Sequence, residues 1–526
     1  MKKRLYRAIT RSLACSAIAL LSLSHVDAAS AQTAQPSYTW NNVRIVAGGY
    51  VDGIIAHPKQ QGLFYARTDV GGAYRYDAVH SKWIALNDWT PPSEQAWTGA
   101  ESIAIDPNNP NMLFVAAGLY VRSWAGNGAI LVSSDQGKSF TAYPLSFRVG
   151  GNEDGRNVGE RLQVDPNDGS VLFYGTTNAA YSSSNGTQQV TGKDGLWTSK
   201  DKGATWSQVS GFTALNSDGT GEGITFIAFA PAGEVAGTPT KTIYAGVSTS
   251  TASTNNTTLY VSTDAGVTWN PIAGGPANEL PQRGQIGPDG NLYITYGNSK
   301  DSNGNYTYAI GPGGMTMGAV WKYDTVHHTW TDITPVDRFN YASGYSGLSV
   351  DPSHPGTLVV MTMDHWWPMD TMYRSTDGGA SWIDVGGATW NGATPTSGTY
   401  AIRDSSLSPW IVPAGQTQPG FGNWGEVVID PFNGAHAMYG TGGGIWTTYD
   451  LTDADAGKPT YWSVGASGLE ETAVITLLSP TSGPHLLSGL GDVCGFVHNS
   501  LTAAPQSQPN NPTCGDSIGT GLDYAK

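Results

Sequence analysis

The chain has 526 residues, with 42 acidic against 27 basic side chains, a formal net charge of −15 and only 13% charged residues. That balance is wrong for a nucleic-acid binder, 18 Trp and 25 Tyr are wrong for a disordered chain, and three Cys are too few for a disulfide scaffold. With 68 Gly and 30 Pro, the composition is that of a turn-rich β protein, long enough for one large repetitive architecture or for two or three domains.

The first 31 residues read as a leader. Lys2, Lys3, Arg4, Arg7 and Arg11 precede the apolar run Ser12 to Leu23, and Ala29-Ser30-Ala31 offers a small-residue cleavage site. The expected mature protein is exported, either secreted or periplasmic, and keeps 22 basic against 41 acidic side chains, a net −19. Such a surface suits a neutral ligand and repels polyanions. Cys15 leaves with the leader. Cys494 and Cys514 remain, and in an oxidising compartment they could close one local loop, although sequence alone leaves their pairing open. No later run is both long and apolar enough to span a bilayer, so no membrane partner is expected.

Four segments then share one pattern: Ser133-Ser134-Asp135-Gln136-Gly137-Lys138-Ser139-Phe140, Ser199-Lys200-Asp201-Lys202-Gly203-Ala204-Thr205-Trp206, Ser262-Thr263-Asp264-Ala265-Gly266-Val267-Thr268-Trp269 and Ser375-Thr376-Asp377-Gly378-Gly379-Ala380-Ser381-Trp382. This is the Asp-box. Its aspartate can accept from nearby backbone N–H groups, its glycine takes positive φ, and its aromatic plugs an apolar gap. Looser copies lie at Asp77 with Trp83, Asp324 with Trp330, and near Asp450. A second marker runs in phase with the first. An x-Pro turn precedes every box, at Pro58, Pro107, Pro166, Pro231, Pro288, Pro352 and Pro431.

Units of roughly 60 residues with about four short strands each are the signature of propeller blades. The expected fold is all-β: a seven-bladed β-propeller over residues 32–455. Residues 456–526 are expected to form the first part of a second, truncated propeller. Tyr461-Trp462-Ser463-Val464 repeats the style of Tyr38-Thr39-Trp40-Asn41-Asn42-Val43, and Gly491-Asp492-Val493-Cys494-Gly495-Phe496 parallels Thr68-Asp69-Val70-Gly71-Gly72-Ala73-Tyr74.

These stretches, with Gly99-Ala100-Glu101-Ser102-Ile103-Ala104, Gly159-Glu160-Arg161-Leu162, Gly318-Ala319-Val320-Trp321-Lys322-Tyr323-Asp324, Ile429-Asp430-Pro431-Phe432 and Leu522-Asp523-Tyr524-Ala525, resemble glycoside hydrolase family 74, the xyloglucanases. The resemblance covers about residues 38 to 526. It implies two facing seven-bladed propellers with a cleft between them for a β-1,4-glucan backbone carrying xylosyl branches, and hydrolysis by inversion. It also implies a general base at Asp69 and a general acid at Asp492. A full second propeller needs several hundred further residues, which leaves three expectations: a fragment of such an enzyme, an enzyme completed by a second chain, or a glycan-binding propeller that does not cleave.

The chemistry of the residues agrees. Inversion needs an acid to protonate the leaving oxygen and a carboxylate to activate water on the opposite face, about 6.5 to 9.5 Å apart. The acid must keep its proton near neutrality, so burial and the facing carboxylate are expected to raise the pKa of Asp492. A neutral polymer offers no charge, so recognition falls to hydroxyl hydrogen bonds and stacked rings. Trp89, Trp97, Trp124, Trp366, Trp367, Trp390, Trp410 and Trp424 are the candidate sugar platforms, with packing between blades as the alternative for each.

Other chemistries fail on particular residues. Gly137-Lys138-Ser139 has Val132 where a phosphate loop needs glycine. Asp301, Asn303 and Asn305 begin like a calcium loop, but Pro312 stands where its closing glutamate belongs. No metal or cofactor is expected. A sialidase also carries Asp-boxes, yet Phe147-Arg148-Val149-Gly150 lacks the proline of its early motif and comes late in the chain.

Overall fold

In the computed structural model, the described residues are 41–509 except 177–194, 213–222, 232, 234, 249–256, 308–309, 313, 337–341, 367–368, 388–398, 413–421, 423–424 and 492. The expected leader, Asp492, Trp367, Trp390, Trp424 and Cys514 lie outside them. Residues 42–526 form one compact unit.

Among the described residues the chain lays down seven blade sheets in sequence order, whose antiparallel four-strand cores open with Val51–Ala56, Ala100–Asp106, Leu162–Val164, Gly223–Phe229, Leu280–Ile286, Gly344–Val350 and Glu426–Asp430. Ala100–Asp106 packs on Phe64–Thr68 of the first blade, from there on these first strands pack on one another around the ring, and Val51–Ala56 packs against Glu426–Asp430 to close it. The closure is apolar: Val51, Ile54, Phe64 and Ala66 of the first blade share a core with Val427, Ile429 and Met438 of the seventh. Elsewhere rings wedge between blades. Phe226 is 1% exposed and fills a slot walled by Gly159, Gly246 and Gly284, each of which a Cβ would close. Burying a ring of that size contributes about 1.5 to 3 kcal/mol.

Local chemistry sets each blade. The x-Pro turn joins the first strand to the second, and the Asp-box joins the third to the fourth. In the second blade Ser133 Oγ accepts from Gly137 N–H at 2.7 Å, while Asp135 Oδ1 accepts from Ser139 N–H at 2.9 Å and Asp135 Oδ2 from Ser139 Oγ–H at 2.6 Å. The Ser139 hydroxyl, first among these donors, holds the Asp135 carboxyl down at about 2. Asp201, Asp264 and Asp377 repeat the set. Left-handed backbone at Gln136 (φ 63°) and Gly137 (φ 80°) lets the turn close. The box aspartates are turn formers.

The expected boundary at residue 455 falls inside the seventh sheet. After Asp450 a 3-10 turn, Leu451–Ala456, delays the outer strand, so Thr460–Val464 still pairs with Gly444–Thr448. Tyr461 and Trp462 therefore complete the seventh blade and do not open the next unit. Ala401–Asp404 adds a fifth strand, parallel to Thr460–Val464. A three-stranded antiparallel sheet follows: Val474–Leu478, Leu486–Leu490 and Cys494–His498. Cys494 is disulfide-bonded. Among the described residues, no helix is long and apolar enough to cross a membrane.

Candidate active site

Asp69 directly follows the second strand of the first blade, Phe64–Thr68, in the turn to Gly72–Asp77. Thr68 Oγ1 accepts from Gly71 N–H at 3.0 Å, and Gly72 adopts φ +79° with no room for a Cβ beside the Thr98 carbonyl and Asn87. The turn thus throws Asp69 outward at one end of the ring. In the last sheet Gly491 and Val493 lie in the link between the strands Leu486–Leu490 and Cys494–His498.

Asp69 opens into a cavity of about 740 Å³ that Tyr50, Tyr120, Arg156, Trp366 and Glu471 also line. Gly491 N–H donates to Ala473 O at 2.8 Å, and Ala473 lines the same cavity. The backbone next to residue 492 is therefore tied to the wall of the Asp69 cleft.

Residues 152–159 form a strap bonded by the first, fifth and sixth blades. Arg67, fully buried, clamps them from the first blade: its Nε meets Glu160 Oε1 at 2.7 Å, and its Nη1 and Nη2 donate to Arg156 O at 2.6 Å and Val158 O at 3.0 Å. Arg283 of the fifth blade donates from Nη2 to Asn157 O at 2.6 Å and to Asp52 O at 2.7 Å, while its Nη1 meets Glu426 Oε2 at 2.8 Å. Gly159 N–H donates to Gln282 O at 2.8 Å. This strap delivers Arg156 to the floor of the site, with Nε 3.7 Å from Asp69 Oδ2 and 3.9 Å from Asp52 Oδ1.

Three carboxyls, Asp69, Asp52 and Glu471, thus gather around Arg156 and the floor of the cavity. Burial, then the Asp69 charge, pushes Asp52 up to about 8. Burial, then Asp69 and Asp52, pushes Glu471 well above the usual carboxyl range. Burial thus favours the neutral form of both neighbours, and of the three carboxyls Asp69, with a side chain 18% exposed beside a guanidinium, is the one best placed to carry charge. An ionised, partly solvated carboxylate in a roomy cleft can take a proton from water. Among the described residues no cluster of His, Cys, Asp or Glu is arranged to hold a metal.

The tryptophans divide. Trp366 is 49% exposed and lines the Asp69 cavity. Trp124 is 72% exposed and sits 5.2 Å from the ring of Tyr120, another wall residue. Trp89 is exposed but lies nearly parallel to Phe140, 6.1 Å away, and Trp97 is half-buried, donating to Asn127 O at 3.1 Å. Trp410 is corrected from platform to core: it is 6% exposed, donates to Ile45 O at 2.9 Å and packs its ring 5.1 Å from Phe496. The sequence reading missed Arg156, Asp52 and Glu471. Their only signal was negative: each is a charged residue in an apolar or glycine-rich neighbourhood.

No protein-family model matches the chain. It is 39% identical to a xyloglucanase of a Paenibacillus species, over 98% of this chain and 49% of that one. It is 40% identical to a xyloglucanase of Acetivibrio thermocellus, over 93% of this chain and 56% of that one. Among solved structures, the GH74 xyloglucanase of Xanthomonas campestris superposes with a TM-score of 0.75 at 38% identity, covering 90% of this chain and 62% of that one. The GH74 enzyme of Niastella koreensis gives 0.71 at 33%, covering 89% and 61%. The chain spans between about half and three fifths of the length of these relatives. Over the residues it spans, the chain is similar, in sequence and in the arrangement of its blades, to the xyloglucanases of glycoside hydrolase family 74.

Proposed function

We propose that this chain carries the base-bearing propeller of a secreted hydrolase that cleaves the β-1,4-glucan backbone of xyloglucan with inversion. Asp69 takes a proton from the attacking water, and Asp492 protonates the leaving glycosidic oxygen from the opposite face. The observation that carries this reading is the Asp69 carboxyl, 18% exposed at the mouth of a cleft of about 740 Å³, with the Arg156 guanidinium 3.7 Å away and two buried carboxyls, Asp52 and Glu471, beside it. Relatives of both sequence and structure bear the name xyloglucanase. Trp366 and the Tyr120–Trp124 pair offer flat apolar faces to a neutral polymer, and the acidic surface offers nothing to a polyanion. The leader at residues 1–31 exports the protein.

The test follows the product. With xyloglucan and the purified mature chain, new reducing ends should appear, and proton NMR should show the α-anomer first. A β-anomer formed first contradicts inversion. Binding without new reducing ends makes the chain a glycan-binding propeller.

A further inference from the structure

Glu471 lies in the connection between Thr460–Val464 and Val474–Leu478, where the chain leaves the closed ring. The residue is 3% exposed, and no arginine or lysine among the described residues forms an ion pair with it. The fold empties two positions to admit it: a Cβ at Gly49 would overlap Glu471 Oε2, and a Cβ at Gly71 would overlap its Cγ. Gly71 belongs to the turn that presents Asp69. The Glu471 carboxyl lies beside the Asp69 carboxyl in the wall of the same cavity, and neither of its buried oxygens accepts a hydrogen bond from an N–H or O–H among the described residues. Two carboxyls in contact with no cation between them keep one proton. Since Glu471 is buried and Asp69 is open to solvent and to Arg156, that proton belongs on Glu471.

We propose that Glu471 is a positioning residue that, as a neutral acid, donates a hydrogen bond to Asp69 and so holds the catalytic carboxylate ionised and aimed into the cleft. This rests on the reading of Asp69 as general base. The titratable groups around Glu471 are Asp69 from the turn, Asp52 from the first strand and Tyr74 from the third, with Tyr50 and Arg156 in the wall of the same cavity and Glu470 next in the chain. Of these only Arg156 is cationic, and it bears on Asp69. Loss of the Glu471 proton at high pH therefore sets two negative charges in contact and turns the Asp69 carboxylate away from its aim.

Two substitutions separate positioning from packing. Glu471→Gln keeps the shape and a donor, because its NH2 can stand toward Asp69 where the acid proton stood. It should retain kcat on xyloglucan within about threefold. Glu471→Leu keeps bulk but removes the donor, and should lower kcat by about tenfold to a hundredfold, leave KM unchanged and move the acid limb of the pH profile upward. Equal damage from both, or none from Leu, overturns the proposal. Infrared spectroscopy of the resting mature protein reads the proton without substrate. One protonated-carboxyl band should vanish in Glu471→Gln and a separate one in Asp52→Asn. If the band is present but xyloglucan is never cleaved, the enzymatic reading fails and proton sharing stands. If cleavage occurs and no band belongs to Glu471, the proposal fails and Asp69 keeps its role.

Discussion

Arg156 Nε faces two carboxyls at nearly equal range, Asp69 Oδ2 at 3.7 Å and Asp52 Oδ1 at 3.9 Å, yet their fates differ because Asp69 is 18% exposed and Asp52 is wholly buried. Desolvation disfavours charge on Asp52 and pushes its carboxyl up to about 8, which leaves the partly solvated Asp69 the better placed of the two to be ionised. Replacing Arg156 with Met removes the cation that favours an ionised base. The acid limb of kcat/KM on xyloglucan should move up by about one pH unit. An unmoved limb would show that the guanidinium serves only to hold the strap.

Asp52 ties stability to pH. The unfolded chain releases this proton near the ordinary value of 3.8, whereas the folded chain holds it to about 8. Between those values unfolding releases a proton, so stability falls as pH rises and levels off above about pH 8. In Asp52→Asn that loss is gone. Thermal unfolding should show the variant gaining on the parent steadily from pH 4 to pH 8; a constant difference across that range would contradict the assignment.

The strap depends on Arg67. Its guanidinium is fully buried against Glu160, and removing one member of a buried pair leaves the other uncompensated at a cost of about 3 to 5 kcal/mol. Arg67→Met should lower the denaturation midpoint accordingly and abolish activity with it. A stable variant with a displaced strap and no activity would place the cost in positioning alone.

The tryptophans yield opposite expectations. Trp366→Ala should raise KM on xyloglucan while the melting temperature holds. Trp410→Ala should cost about 3 to 5 kcal/mol of stability, because its ring is core against Phe496. Urea titration with parallel kinetics distinguishes the two.

What was legible in the sequence was whatever local chemistry writes. The Asp-boxes and x-Pro turns are self-contained hydrogen-bonding motifs, so they marked seven blades without knowledge of the ring. The edge of the seventh blade was misread because the turn at Asp450 runs into Leu451–Ala456, which lengthens the path to the outer strand. Nothing in Ala401–Asp404 announces a parallel fifth strand, since its partner comes much later in the chain. Asp69 stood out only through the family resemblance. Arg156, Asp52 and Glu471 come from distant stretches, and only ring closure and the strap bring them beside it. Trp410 was mistaken for a platform because tryptophan is chosen equally for sugars and for cores, and exposure is a tertiary property.

The most direct test is the rate of reducing-end release from xyloglucan by the mature chain and by Asp69→Asn, each checked by circular dichroism for an intact fold. Asparagine preserves the shape of the turn and removes the base. The expected result is an intact propeller whose cleavage falls by at least about a hundredfold, the scale of general-base assistance. Turnover at the parent rate in that variant would contradict the account at its centre.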